Sequence, residues 1–440
     1  MSRHSAKTFL NDNKFVLIVL CLLFAERVAV MLSLGVDYNL NNDDMGYFNS
    51  GIVFAGTGTI SIYSPYPSAM VMPGMAVLLG SLSAFFGDGL AYWLSIKLLW
   101  SFFGVCTAFF VYKAIRIFAQ ESCALIVSLA FFAPNLAWMD NLVLTETPYF
   151  LFLTGTVFCT LKMGSCDEKK YFVLYVVFYL LALSFRAIAV SLPLFSFIYL
   201  MIMKRPRGLV LKRMACTVTA LLLFIVPWTV RNYYYFDAFI PLTYGAGNGV
   251  LLGTYQGYGY PADEELDYNT NVEQVFRERY ASYLDENGNA KDPIQQQYLA
   301  LEKDGIKAEY RQRVWADTHP FLISLSYLVK KPLSMSIMVF YWTEVLGVSR
   351  QPLVLLRFID LMFCCLTFVL AFVYKKHRAT IGYLAAAYWV NIYLISLSLS
   401  FDRYAETLMS LRYIIVGIGI SILAEVIKQR MKKSDPMQTD

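Results

Sequence analysis

The stretch FVLIVLCLLFAERVAVMLS, residues 15–33, decides the fold, and NNDDMGYF, residues 41–48, follows it closely. The first is an apolar run of the length one helix needs to cross a hydrocarbon core of about 30 Å, roughly 20 residues. The second places two adjacent carboxylates, Asp43 and Asp44, just beyond it. Working outward, 58% of the 440 residues are hydrophobic, 16% are charged and the mean hydropathy is +0.50. That leaves too little polar surface to cover the apolar bulk in water, so an ordinary soluble domain is excluded and lipid must be the solvent. About ten apolar runs, separated by short polar links, make the chain an all-α polytopic membrane protein.

The formal charge of +5 matters through its placement rather than its sum. Arg3, Lys7 and Lys14 precede the first run, and the positive-inside rule puts both this end and the basic C-terminal end in the cytoplasm. The run lacks a small-residue cleavage site and carries Glu26-Arg27, so it is expected to stay as the first span. A short helix over 44–56 and a proline-marked turn, SPYPSAMVMPG, fill the loop that follows. Met75–Phe86 is too short to span and reads as an interfacial or re-entrant segment. Further spans are expected near 90–112, 119–138, 147–161, 171–185 and 188–203, then one ending at VPWTVRN. The last three are expected near 353–374, 380–400 and 411–427. KAEYRQRVWADTHPFLISLSYLVKKPL mixes charges with apolar residues at helical spacing and reads as an amphipathic helix on the membrane surface. The organisation is then an N-terminal transmembrane module, 1–230, with a catalytic external loop at 35–70; an extracytoplasmic loop, 231–335; and a C-terminal transmembrane module, 336–440. The eight cysteines show no CxxC or metal spacing, so neither disulfides nor a cysteine metal site is expected.

Charges at a membrane edge are expensive to desolvate, which makes the few present here candidates for function. On the expected outer face lie Asp43, Asp44, Glu146, Arg186, Arg231 and Arg403, while Arg27 sits within the first apolar run. Carboxylates supply a general base, and guanidinium groups supply paired donors for phosphate oxygens. Each residue also has a plainer reading. Asp43 and Glu146 could be acids at helix N-termini, and Arg186 and Arg231 could be interfacial anchors that snorkel. Arg27 pairs poorly with its neighbour Glu26 along a helix and is expected to have a partner elsewhere.

Taken in order, these motifs resemble the lipid-dependent glycosyltransferases of the GT-C fold, in particular the superfamily of protein O-mannosyltransferases and aminoarabinose transferases. DDMGYF looks like that superfamily's acidic pair followed by a tyrosine, Asp43-Asp44-x-x-Tyr47. LTETPYFLF is similar to its acid opening a later span, at Glu146. SFRAIA, PWTVRNYYYF, GAGNGVLLGT and FDRY resemble further family positions at Arg186, Arg231, Asn248 and Arg403-Tyr404. The resemblance covers residues 15 to 427 and implies a GT-C architecture with extracytoplasmic juxtamembrane helices. It implies inverting transfer of a sugar from a polyprenyl-phosphate carrier to a hydroxyl of a glycan, lipid or protein, at the extracytoplasmic face of the cell membrane. Asp43 would be the base, with Asp44 and Glu146 as further catalytic acids. Tyr47, Arg27, Arg186, Arg231, Asn248, Arg403 and Tyr404 would hold the carrier phosphate and substrate. No cofactor is required by this scheme, although the oxygens of Asp43 and Glu146 could accept a divalent cation. The expected partners are membrane lipids and the donor and acceptor, with no nucleic acid.

Two other classes share the composition. A lipid-linked-sugar flippase would place charges near the bilayer midplane and show repeat symmetry, and neither is visible. A polymerase or ligase using lipid-diphosphate donors would also use external arginines, with less reason for an early acidic pair. The sequence does not identify the sugar or the acceptor, because one scaffold hosts many specificities.

Overall fold

Among the described residues, six helices are long and apolar enough to cross a membrane: α1 (Lys14–Leu34), α4 (Leu90–Ile115), α10 (Arg207–Phe236), α16 (Arg350–Val373), α17 (Arg378–Ser396) and α19 (Met409–Ser434). They were located in a computed structural model that describes residues 13–434; Arg3 and Lys7, used above for topology, lie outside the described residues. Between α1 and α4 come α2 (Asp43–Thr57) and α3 (Gly74–Phe86). Then follow α5 (Glu121–Ser128), α6 (Pro134–Met139), α7 (Glu146–Ser165), α8 (Lys169–Phe185) and α9 (Leu192–Ile202). The segment after α10 holds α11 (Ala246–Gly253), α12 (Val275–Arg279), α13 (Gln296–Thr318), α14 (Pro320–Leu325) and α15 (Lys331–Ile337), and α18 (Asp402–Glu406) precedes α19. No named strand occurs among the described residues, only isolated bridges at Leu284–Ala290 and Val345–Val348.

At the centre is α7, packed between α4 and α8, with every residue buried except Lys162 and Ser165. Its polar content is made compatible with burial locally: the hydroxyls of Thr154, Thr156 and Thr160 donate to the carbonyls of Phe150, Phe152 and Thr156 one turn back. Gly104 on α4 lets the chain come close at Asp140, whose carboxylate oxygen lies where a Cβ would stand.

Two expectations need correcting. The span expected over 119–138 is broken: α5 ends in a 3-10 turn at Leu129–Phe132, Ala133 is extended, and α6 restarts with Pro134 at its N-terminus. Proline disfavours helical backbone in the residue before it and has no N–H to continue a helix, so the break is written in the sequence. The amphipathic helix expected from Lys307 onward also differs. α13 starts earlier and stops at His319-Pro320, and a π-helical turn at Ser326–Lys330 separates α14 from α15. Its apolar stripe, including Leu299, Ile306 and Trp315, is buried, and α13 packs against α11.

Buried ion pairs bolt the bundle. Arg27, fully buried on α1, donates to Asp140 at 3.1 Å, to Glu26 at 2.6 Å and to the Phe131 carbonyl at 2.9 Å, tying α1 to the broken segment. Arg357 on α16 grips both oxygens of Glu406 on α18 at 2.8 and 2.7 Å, and Arg412 on α19 pairs with Asp360 at 2.5 Å. A charge removed from water needs partners of this kind, and losing one partner leaves the other stranded.

Candidate active site

α2 begins at the acidic pair because both acids favour the first turn, where unpaired N–H groups and the helix dipole attract negative charge. The two acids then part. Asp44 is almost fully buried and spends its oxygens on backbone: Oδ1 accepts from Asn42 and Met45 N–H at 3.0 Å each, and Oδ2 accepts from Leu40 N–H. Asp43 faces side chains instead. Its Oδ1 accepts from the Tyr63 hydroxyl, and its Oδ2 accepts from Arg403 Nη2 at 2.5 Å.

Arg403 comes from α18, 360 residues away in sequence. Its Nε also lies 3.2 Å from Glu146 Oε1, an ion-pair separation, although the N–H is not aimed at that oxygen and has no hydrogen-bond partner. Glu146 opens α7, is fully buried, and accepts from Arg186 Nη1 at 3.1 Å. Arg186 is where α8 stops, its backbone extended, and its guanidinium stacks 4.4 Å from the centre of the Tyr404 ring. The result is an alternating chain of charges, Asp43, Arg403, Glu146 and Arg186, assembled from four helix ends. Burial works against the Arg403 charge, but Glu146, Tyr404 and Asp43 outweigh it and keep the guanidinium protonated. Burial pushes the Tyr47 phenol up, so it stays a neutral hydroxyl beside them.

These groups border a cavity of about 860 Å³. Asp43, Asp44, Tyr47, Arg186, Arg403 and Tyr404 are on its polar wall. Asn248 joins them from α11, with its amide held by Asp304 at 2.8 Å. The rest of the wall is largely apolar and includes Met72, Ile188, Leu394 and Leu397. Leu394 and Leu397 are 43% and 56% exposed, so this wall runs into the outer apolar surface of α17.

Three of the expected residues stand differently. Glu146 is not on the cavity wall but behind Arg186 and Arg403, where it holds both guanidiniums. Arg27 is remote from the cavity and fully buried, and its partners are Asp140, Glu26 and backbone carbonyls; a phosphate could reach it only by displacing them. Arg231 is not on the wall either. It stacks on Trp228 and Tyr235, 4.9 Å from each ring centre, and donates to the carbonyls of Ile60 and Ser68, stapling the ends of the loop after α2. That loop carries Tyr63, which sequence reasoning missed; a tyrosine in SIYSPYPS has no periodic signature to mark it. Glu406, one turn after Arg403 on α18, was also missed; it ties that short helix to Arg357 on α16, and the i, i+3 spacing in DRYAE signals that the two residues share a face.

A divalent cation does not fit this donor set. Asp43 and Glu146 already share a guanidinium, Asp44 is committed to backbone N–H groups, and no cluster of three His, Cys, Asp or Glu side chains suited to a metal occurs among the described residues.

No protein-family model matches the sequence, and no characterised protein matches it. Solved structures do. The oligosaccharyltransferase AglB from Archaeoglobus fulgidus, in complex with an inhibitory peptide and a dolichol-phosphate, aligns over 98% of this chain with a TM-score of 0.56 at 11% identity. Its apo form aligns over 97% with a TM-score of 0.55 at 12% identity, and in both cases this chain spans 52% of the AglB chain, about half its length. ArnT from Cupriavidus metallidurans bound to undecaprenyl phosphate aligns over 94% of this chain and 78% of its own, with a TM-score of 0.42 at 12% identity. The AglB alignments, which cover nearly the whole chain, place it in the GT-C fold of integral membrane proteins.

Proposed function

We propose that this protein is an inverting glycosyltransferase that moves a sugar from a polyprenyl-phosphate carrier to an acceptor hydroxyl at the extracytoplasmic face of the membrane. The observation that carries the reading is the pairing, in one cavity, of a cavity-facing carboxylate with two guanidiniums beside an apolar wall that reaches the lipid-facing surface. AglB, whose fold this chain shares, is seen with dolichol-phosphate, a carrier of the same chemistry.

In the reaction, the acceptor oxygen attacks the anomeric carbon from the face opposite the phosphate. The bond from that carbon to the phosphate oxygen breaks, and the acceptor proton passes to Asp43. The carrier leaves as a phosphate monoester with one more negative charge, stabilised by Arg403 and Arg186, which are already fixed and so need no reorganisation. Glu146 holds the two arginines in register. The prenyl tail lies along Met72, Ile188 and Leu394. With the acidic loop outside, the basic links and both termini fall on the cytoplasmic side, as the positive-inside rule requires.

The test is Asp43→Asn in the full chain. It keeps the volume, and its carbonyl oxygen can still accept from Arg403 while its NH2 donates to the Tyr63 oxygen, so the protein should fold, and the envelope glycan, glycolipid or glycoprotein that loses one sugar on deletion of the gene should remain unmodified. Normal modification by Asp43→Asn removes the base from the scheme.

A further inference from the structure

We propose that the Tyr63 hydroxyl occupies on Asp43 the position an accepting hydroxyl must take, so that the loop tip closes the base against water until an acceptor displaces it. This rests on the base assignment above and adds a device that governs it.

The geometry is specific. Asp43 has two carboxylate oxygens; Arg403 takes one, and the Tyr63 O–H takes the other. An alcohol about to be deprotonated presents the same group, an O–H donor, to the same oxygen, so the two compete for that oxygen's lone pairs. Tyr63 is also held in a conformation that favours release. Its φ is +61°, in the left-handed region where a bulky side chain is strained, and the residue is 52% exposed. What holds it is the bond to Asp43 and the seat its ring finds on Gly46, where a Cβ would come within 2.6 Å of the ring. The loop is built to move only at its tip. Ser68 N–H donates to Ile60 C=O at 2.8 Å, and Arg231 donates to the carbonyls of both residues, so the base of the loop is fixed while residues 63–66 lie between the two anchored ends. Burial and the bond to Asp43 both raise the Tyr63 phenol, so it stays protonated as a donor.

Without this contact, a water molecule could sit on Asp43 and give its proton to the carboxylate as its oxygen attacks the sugar, releasing free sugar and carrier phosphate. With it, water has to displace a hydroxyl already held in place, whereas a bound acceptor brings its own contacts to the exchange.

Tyr63→Phe keeps the ring on Gly46 and removes the donor. Full-length protein in detergent is treated with a water-soluble carbodiimide and glycine ethyl ester, and labelling is read by peptide mass spectrometry, with the exposed carboxylates Asp37 and Asp88 as internal references. Asp43 should label roughly 3- to 10-fold faster in Tyr63→Phe than in wild type, the range expected for the net loss of one ordinary hydrogen bond. The references should not change. Gly46→Ala, which drives the ring off its seat with the hydroxyl intact, should raise Asp43 labelling in the same direction. On a panel of farnesyl-phosphate-linked hexoses and pentoses with water as the only nucleophile, Tyr63→Phe should release carrier phosphate faster than wild type. Unchanged or slower Asp43 labelling in both variants, or slower release by Tyr63→Phe, overturns the proposal and leaves the base assignment standing. Sugar transfer by Asp43→Asn overturns both.

Discussion

Removal of Arg403 tests the charge chain at its centre. Arg403 is 12% exposed and lies between Asp43, 25% exposed, and Glu146, which is fully buried. Loss of one partner from a buried pair costs about 3–5 kcal/mol when the other is left alone. Here neither acid is left alone: Glu146 keeps Arg186 at 3.1 Å, and Asp43 keeps the Tyr63 hydroxyl. Arg403→Met should therefore destabilise by less, about 1–3 kcal/mol, the range of one charge-assisted hydrogen bond. Glu146→Gln should cost a similar amount, because it leaves Arg186 without a carboxylate partner while Arg403 keeps Asp43. The informative quantity is the cycle. With both changes made, the stranded charges are relieved together, and the double variant should be about 1–2 kcal/mol more stable than the sum of the singles predicts. The assay is unfolding of full-length protein in mixed detergent micelles, followed by tryptophan fluorescence, which needs no knowledge of the sugar. Additivity within about 0.5 kcal/mol would mean that the 3.2 Å approach of Arg403 to Glu146 carries no energy, and the charge chain would be abandoned. If the chain holds, turnover should fall about 10²- to 10³-fold in Arg403→Met, the loss seen when one preorganised donor to a developing anion is removed. Arg403→Lys should not restore it, since a single ammonium cannot bridge two acids as a fork does.

Other consequences are open to measurement. Arg27→Met should destabilise by about 3–5 kcal/mol, much of it recovered by adding Asp140→Asn, with turnover per folded molecule unchanged; a large loss of turnover without a loss of stability would return Arg27 to the site. Because Arg403 stands where a dication would have to bind, sugar transfer should survive chelation, and a requirement for added Mg²⁺ or Mn²⁺ would refute that reading. Lys331, near-fully buried on α15 with only the Ser398 carbonyl at 3.2 Å and the Tyr327 ring to receive it, has its amine pulled down by burial to about 7. The unfolded chain then binds more protons than the folded one above that pH, so stability should rise from pH 7 to pH 9 by on the order of 2 kcal/mol. Lys331→Met should flatten that rise.

What the sequence revealed, and what it concealed, follows from the range of each interaction. Span positions are local, set by about 20 residues of composition, and the helices at 14–34, 90–115, 350–373 and 409–434 lie where hydropathy puts them. The short helix after the first span is also local: its acids and Gly58, left-handed at φ +70°, mark its two ends. The break at Ala133-Pro134 is equally local, but it is carried by the proline's backbone and not by hydropathy, which runs on through it. Partners are another matter. Nothing near Arg27 announces Asp140, which is 113 residues away, and the plain reading of Arg231 as an interfacial anchor could not foresee that it would staple the ends of the 60–68 loop. Arg186 and Arg231 look alike on paper, each a guanidinium at the end of an apolar run, and only the fold sends one to the cavity and the other to the loop.

The adjacent acids of α2 show why the site needs both. A carboxylate that accepts three backbone N–H bonds cannot also swing to meet a substrate, and Asp44 is in that position. What it does is fix the first turn of α2, and with it the direction in which the next side chain points. Asp43, relieved of capping, is left to face Arg403 and Tyr63, one partner rigid and the other on a loop tip. Burial grades the same assignment along the charge chain: Glu146 is sealed and holds its arginines still, whereas Asp43 is a quarter exposed and can exchange one partner for another. An acid pair at a helix start is thus a division of labour. Asp43→Asn and Asp44→Ala should therefore fail in different ways, the first in turnover and the second in stability, by about 1–2 kcal/mol for the lost acceptor of the first-turn N–H groups.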